Sequence, residues 1–302
     1  MSQQYHIPVL ANETINLLDI KPNGIYVDCT FGGGGHSRGI LNKLGKAGKL
    51  IAFDQDADAK ANIPADPRIS FLQYNFRHIQ KFLRLHKINE VDGVLADLGV
   101  SSHQFDEAGR GFSTRFLESA LDMRMDQRQE QTAADIVKNS GEQELHKLFE
   151  RYGEVTNAKT LAKTIVQQRQ VSTIKTVSDF RSAVASVVKG NPNKYFAQVF
   201  QALRIAVNDE IGALEEMLQQ IPNILKKGGR AAIITFHSIE DRTVKNFFRY
   251  GSFDEVETDS VYGTKPESPF NVITKKPVSP SAKELNENPR SRSARLRVAE
   301  KK

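Results

Sequence analysis

Four consecutive glycines, Gly32 to Gly35, stand between an apolar stretch and a helix-patterned one, and this arrangement narrows the choice of fold more than any other feature. Gly24 to Thr30 is a short apolar run ending in polar residues, the pattern of a buried strand. From His36 to Leu44, the residues Ile40, Leu41 and Leu44 recur at helical spacing. A glycine-rich turn between a first strand and a first helix lets a ligand approach backbone N–H groups at a helix N-terminus. Three further strands are expected at residues 49–54, 69–74 and 91–97, the first and last of these ending on the acids Asp54 and Asp97. Strands alternating with helices at this spacing predict βαβ units: an α/β fold with a parallel sheet and helices on both faces.

The texture changes after about Phe112. To about Lys194 the chain is polar and helix-rich, with helical spacing in Leu145, Leu148 and Phe149 and again in Leu161, Ile165 and Val166. This predicts an inserted helical domain over 113–195, between sheet-forming parts at 1–112 and 196–302. Apolar residues from Phe196 to Leu218 step by three and four, predicting one long amphipathic helix. Lys227 to Arg230 reads as a turn, Ala231 to Phe236 as a buried strand, and Asp241 to Tyr250 as a helix. Residues 252–271 read as a loop. Ala294, Leu296 and Val298 alternate with Arg295 and Arg297, the period of an edge strand with one polar face.

The glycine loop suits either a dinucleotide or S-adenosylmethionine. The dinucleotide fingerprint G-x-G-x-x-G is not met, because the required positions fall on Ser37, Arg38 or His36. Asp54 lies about 20 residues past the loop, where an acid accepts hydrogen bonds from ribose hydroxyls; the alternative is a strand-end helix cap. Asp97 is expected to point into the same crevice as Asp28 and Asp54, beyond the carboxyl ends of the strands.

A net charge of +6 and a pI near 9.2 favour a polyanionic partner such as nucleic acid, or mark only a well-solvated surface. The single cysteine, Cys29, excludes an internal disulfide framework and reads as core packing. No signal peptide is visible, and no stretch approaches the roughly 18 apolar residues of a membrane span. A soluble cytoplasmic protein, without membrane or metal, is the expectation. Asp122 and Asp126, helix-spaced and flanked by Arg124 and Arg128, read as a charge network and not as a metal site.

Beyond the fold, whole blocks of this sequence resemble the bacterial 16S rRNA cytosine-N4 methyltransferases, the RsmH/MraW family. The blocks are His6 to Leu10, Asp28 to Ser37, Asp97 to Ser102, Arg110 to Ser113, Leu121 to Asp126, Tyr152 to Glu154, Phe200 to Ile205, Phe236 to Arg242 and Asn288 to Ser293. The resemblance implies a class I, Rossmann-like methyltransferase sheet. It also implies S-adenosylmethionine bound by Gly34, Gly35, His36, Asp54, Phe76, Asp97 and Gln104. The implied substrate is a decoding-centre (P-site) cytosine of 16S rRNA in the small ribosomal subunit, and the enzyme would act as a monomer or homodimer. Two departures stand out. Phe105 follows Gln104 where the family often has Leu, and Glu118-Ser119-Ala120 stands where the family usually has a Gly-Pro pair, a change in the local turn.

Methyl transfer from a sulfonium needs amine, methyl carbon and sulfur in line. The cytosine N4 lone pair is delocalised into the ring, so acceptors on its hydrogens would favour the transition state. Asp97 and the carbonyls of Leu98 and Gly99 are the candidates. The base must also leave its stack, and Phe105, Arg110, Phe112 and Arg124 are candidates to receive it, with core packing the alternative for the phenylalanines. Arg290 and Arg292 are candidates for phosphates. His237 reads as structural or as a loop orienter. Two other classes remain open: a non-catalytic ribosome-assembly factor, against which the intact loop and acids speak, and a dinucleotide-dependent dehydrogenase, against which the failed fingerprint speaks.

Overall fold

The computed structural model describes residues 8–254 and 267–302. Its strands are β1 (Ile25–Asp28), β2 (Lys49–Phe53), β3 (Ile69–Leu72), β4 (Val91–Asp97), β5 (Leu225–Thr235), β6 (Phe270–Val272) and β7 (Arg295–Lys301). Its α-helices are α1 (Ala11–Leu17), α2 (Gly35–Lys43), α3 (Ile79–Leu85), α4 (Ser102–Asp106), α5 (Ala133–Asn139), α6 (Glu142–Gly153), α7 (Ala158–Val171), α8 (Val177–Val184), α9 (Pro192–Asn208), α10 (Glu210–Ile224), α11 (Ser238–Tyr250) and α12 (Ala282–Glu287). No helix among the described residues is long and apolar enough to cross a membrane.

The chain divides into two compact units, one of residues up to Gly99 and from Ile211 onward, the other Val100–Glu210. The first holds a seven-stranded sheet in the order β3-β2-β1-β4-β5-β7-β6. Strands β1 to β5 are parallel, and β7 runs antiparallel between β5 and β6. Period-two alternation sends Val27, Phe53, Val94 and Ile233 to one face, against Ile79 and Leu83 of α3, Leu218 of α10 and Phe247 of α11. Tyr26, Leu50, Leu95 and Leu296 face the other way, against Leu10, Leu18, Ile40 and Leu41. The order reverses between β1 and β4, and such a reversal opens a crevice at the carboxyl ends of the strands.

The second unit is helical, with α4 to α9 around Leu145, Phe149, Leu161, Phe180, Phe200 and Leu203. It is wider than the 113–195 expected from sequence, because Phe112 at one end and Phe196 to Val207 at the other pack into this helical core and not onto the sheet. The single helix expected over Phe196 to Leu218 is two. The chain enters the left-handed region at Asp209 (φ 46°), which ends α9 before α10 begins. The apolar spacing carries across that break, so periodicity alone cannot reveal it.

Two expectations near the C-terminus also change. Lys227 to Arg230 is not a turn between elements but an irregularity within β5, whose register against β4 jumps from Val91↔Leu225 to Gly93↔Arg230, with Gly228 at φ 74°. The strand expected at an edge is β7, which lies inside the sheet. Its polar face is covered in part: Arg295 stays exposed, but Arg297 is buried and donates to Asp241 of α11 through Nε at 2.7 Å and Nη2 at 2.9 Å. A paired arginine satisfies a buried position that the sequence pattern assigns to solvent. Residues 255–266 of the expected 252–271 loop lie outside the described residues.

Candidate functional site

β1 and β4 end on Asp28 and Asp97 and Asp54 directly follows β2, and the Asp28 and Asp54 side chains hold the glycine loop in shape. Asp28, at the end of β1, is 1% exposed. Its carboxylate accepts from the Thr30 N–H at 3.0 Å and the Ser37 hydroxyl at 2.7 Å. It therefore braces the loop and does not line the crevice, which corrects the expectation that it points there. Burial pushes its carboxyl up, against the Ser37 hydrogen bond. The Thr30 hydroxyl in turn accepts from the Asp97 N–H at 2.6 Å, tying β4 to the loop.

Asp54, at the end of β2, accepts from the Gly32 N–H at 2.7 Å and from the Asp56 N–H at 2.9 Å. Burial pushes its carboxyl up; the two N–H groups oppose this, the charges of Asp56 and Asp28 add to it, and the group stands at about 7. The helix-cap alternative for Asp54 falls instead to Asp56, whose side chain accepts from Asp58 N–H at the start of the following short helix.

Gly34 sits at φ 72° as the residue before α2, and a Cβ there would stand 2.9 Å from the Phe31 ring. Only glycine fits this left-handed, crowded position. Next to it, His36 is buried with Nε2 3.5 Å from Asp97 Oδ2. That distance is an ion-pair contact and too long for a good hydrogen bond. Burial depresses the imidazole, but Asp97, Asp28 and Glu284 outweigh it and hold its pKa above the ordinary value. Neither His36 ring nitrogen nor Asp97 Oδ1 has a hydrogen-bond partner, although all three are buried. Buried polar atoms are nearly always paired, so these point to a polar ligand that completes them.

Gly34, Gly35, His36, Asp54 and Asp97 thus meet at one edge of the sheet unit, at the ends of β1, β2 and β4. Phe76 lies in the same unit, in the short turn after β3, half-buried against the sheet core. Gln104 lies in the helical unit, buried, where its Oε1 accepts from the Ser101 N–H in a capping box at the start of α4. Thr30 and Ser37 were missed by sequence reasoning. Their role depends on pairing with Asp28, which no spacing rule reports.

Several candidate base-receiving groups are engaged internally. Arg110 is buried and donates to the carbonyls of Arg124 and Met125. Phe112 is core, and Arg124 is held by Asp122 at 2.8 Å. Asp126 likewise holds Arg128, so Asp122 and Asp126 form the expected charge pairs, but in an irregular segment and not on a helix. Phe105 is half-buried with the Arg115 guanidinium 5.5 Å from its ring centroid. Arg290 and Arg292 are exposed. His237 caps α11 and contacts Glu240 at 3.2 Å. Cys29 is buried in the sheet core. The described residues contain no group of three or more His, Cys, Asp or Glu able to hold a metal ion.

The ribosomal RNA small subunit methyltransferase H of Parabacteroides distasonis is 51% identical over 299 residues, 98% of this chain and 97% of that protein. The protein of the same name from Flavobacterium johnsoniae is 50% identical over 301 residues, 99% of each chain. Among solved structures, an rRNA methylase from Streptococcus thermophilus aligns with a TM-score of 0.39 at 13% identity, over 96% of this chain and 93% of that one. The profile of the MraW methylase family matches residues 3–302. Because that match takes in the glycine loop, the strand-end acids and the helical unit without interruption, the chain belongs to the MraW methylase family.

Proposed function

We propose that this chain transfers the methyl group of S-adenosylmethionine to the exocyclic N4 amine of a decoding-centre cytosine in small-subunit rRNA. The observation that carries the reading is near-full-length identity of about half to relatives named as small-subunit rRNA methyltransferases. The chain folds as a class I methyltransferase sheet with an added helical unit. The cytosine and its N4 rest on the sequence blocks that resemble the cytosine-N4 family.

The site fits the methyl donor, because unpaired buried acceptors and donors at His36 and Asp97 stand beside a glycine loop that exposes N–H groups. When bound, S-adenosylmethionine supplies an electrophilic sulfonium methyl. The residues Gly34, Gly35, His36, Asp54, Phe76, Asp97 and Gln104 would hold it, with Asp54 accepting from the ribose hydroxyls. Asp97 Oδ1 would accept an N4 hydrogen of the cytosine, assisted by the Leu98 and Gly99 carbonyls. A carboxylate so placed stabilises positive charge growing on the amine. The surplus proton leaves to water or a nearby acceptor. The helical unit would recognise the substrate, with Arg290 and Arg292 contributing phosphate contacts.

Labelled S-adenosylmethionine, incubated with small subunits from cells lacking this gene, tests the reading by mass spectrometry of digested RNA. Label recovered as N4-methylcytidine in one decoding-site fragment is the expected result. Label elsewhere overturns the target, cofactor binding without label favours an assembly factor, and no cofactor binding overturns the whole reading.

The Asp54 carboxyl, at about 7, adds a pH signature. A protonated Asp54 cannot accept both ribose hydroxyls, so affinity for S-adenosylhomocysteine follows the ionised fraction. Between one unit below and one unit above that value this fraction, and with it the affinity, rises about tenfold. In the free protein the sign is opposite. A raised carboxyl contributes stability below its unfolded pKa and loses it as pH climbs toward about 7. Calorimetric titration from about pH 6 to about pH 8 checks the binding arm. Asp54→Asn should flatten it, and an unchanged profile in that variant would assign the titration to His36.

A further inference from the structure

Residues 73–89 carry Arg77, His78, Lys81, Arg84, His86 and Lys87 and no acid. The segment forms the turn after β3, then α3 and the residues just beyond it. Ile79 and Leu83 of α3 are fully buried in the sheet core, so the helix is anchored by one face. Lys81, Arg84 and Lys87, at successive intervals of three, are exposed. Among the described residues none of these three side chains makes an ion pair or hydrogen bond. Beside them, between α3 and α10, lies an open groove of about 580 Å³ lined by Arg77, His78, Lys81 and Arg84 on one wall and Gln219 and Gln220 on the other. The one acid in its lining, Glu216, is already engaged by Arg77 at 3.0 Å, which leaves the outer cations uncompensated.

Lys81 and Arg84, three residues apart on α3, repel one another, and Lys87, in the left-handed region just past the helix, adds a third like charge, so the arrangement costs stability unless a polyanion meets it. An aromatic platform stands at the start of the same segment. Tyr74 is 47% exposed and lies 4.2 Å, centroid to centroid, from Phe82 in a stacked arrangement. Cations that follow a backbone and an aromatic ring that receives a base are the two parts of a single-stranded nucleic acid site. Because α3 follows β3, its first turn begins at the carboxyl edge of the sheet, the edge that carries Asp54 and Asp97.

We infer that the outer face of α3, with Tyr74, is a docking surface for the sugar–phosphate backbone of the RNA substrate. This rests on the proposed rRNA methylation and adds to it a contact surface on the sheet unit that begins at the carboxyl edge of the strands. Lys81, Arg84 and Lys87 hold phosphates, and Tyr74 stacks on an unpaired base.

The test compares the full-length protein with a Lys81→Gln/Arg84→Gln/Lys87→Gln variant and with Tyr74→Ala. Binding to unmethylated small ribosomal subunits is measured from about 50 to about 200 mM salt, with S-adenosylhomocysteine affinity and melting temperature as controls. With three phosphate contacts removed, the slope of log K against log salt should become shallower by about 2, and affinity at low salt should fall at least about tenfold. Tyr74→Ala should weaken binding without changing the slope. Cofactor affinity should stay as in the parent in both. A triple variant with the parent's slope and affinity overturns the docking surface and leaves the methyltransferase reading standing. If the parent protein itself fails to bind the subunits with salt-dependent affinity, both fall together.

Discussion

Asp97→Asn should keep its fold and lose turnover by about 10²–10³-fold, the loss seen when one preorganised group facing a developing charge is removed. The substitution preserves shape. The Asp97 backbone N–H still donates to Thr30, so β4 and the glycine loop stay tied. What changes is the side chain, which turns from a buried acceptor with an unpaired Oδ1 into an amide that offers hydrogens to an amine already carrying its own. The same change removes the charge beside His36, whose imidazole pKa should drop toward or below its ordinary value once burial is no longer outweighed. Single-turnover kinetics on small subunits, with S-adenosylhomocysteine affinity measured separately, distinguishes lost chemistry from lost binding. Full turnover with normal binding of both ligands would remove Asp97 from the mechanism.

Asp241→Ala should cost about 3–5 kcal/mol of stability, because it strands a buried arginine. Arg297 donates two hydrogen bonds to Asp241, and Arg295 adds a third contact at 3.1 Å. Both partners of the buried pair are almost completely enclosed. For a domain stable by about 5–15 kcal/mol this is a large fraction. Replacing both partners, as in Asp241→Leu with Arg297→Met, should recover much of the loss, since well-packed apolar groups can substitute for a buried pair. Burial raises the Asp241 carboxyl, but Arg297 and Arg295 prevail and hold it below its ordinary value. The stability it contributes is therefore present above the unfolded carboxyl pKa of about 3.9 and is lost as pH falls through the depressed folded value. Urea midpoints of parent, single and double variants check this. A single variant within about 1 kcal/mol of the parent would show that Arg297 finds water or another partner.

Much of the sheet unit could be read from spacing. β1, β2 and β4 fall where short apolar runs end on acids, and α2 begins where the glycines end. Asp54 and Asp97 stand out by their place at strand ends, and Gly34, Gly35 and His36 through the family resemblance. Misreadings came where a local pattern has two tertiary solutions. The step of three and four from Phe196 to Leu218 continues across Asp209, so only packing reveals that α9 belongs to the helical core. Asp28 looked like a crevice acid because it ends a strand, yet Ser37 and the Thr30 N–H turn it into a brace.

Residue type and spacing alone specify the parallel α/β core, the glycine turn before α2, the acids at the ends of β2 and β4 and, through the motif blocks, the family. These depend on residue type and short-range period, which the chain carries in order. Packing of the folded chain sets β7 between β5 and β6, buries Arg297 on Asp241 and leaves Lys81 and Arg84 exposed and unpaired beside the groove. Each of these depends on which distant residue covers a side chain, and a polar residue reads the same in sequence whether water or a partner satisfies it.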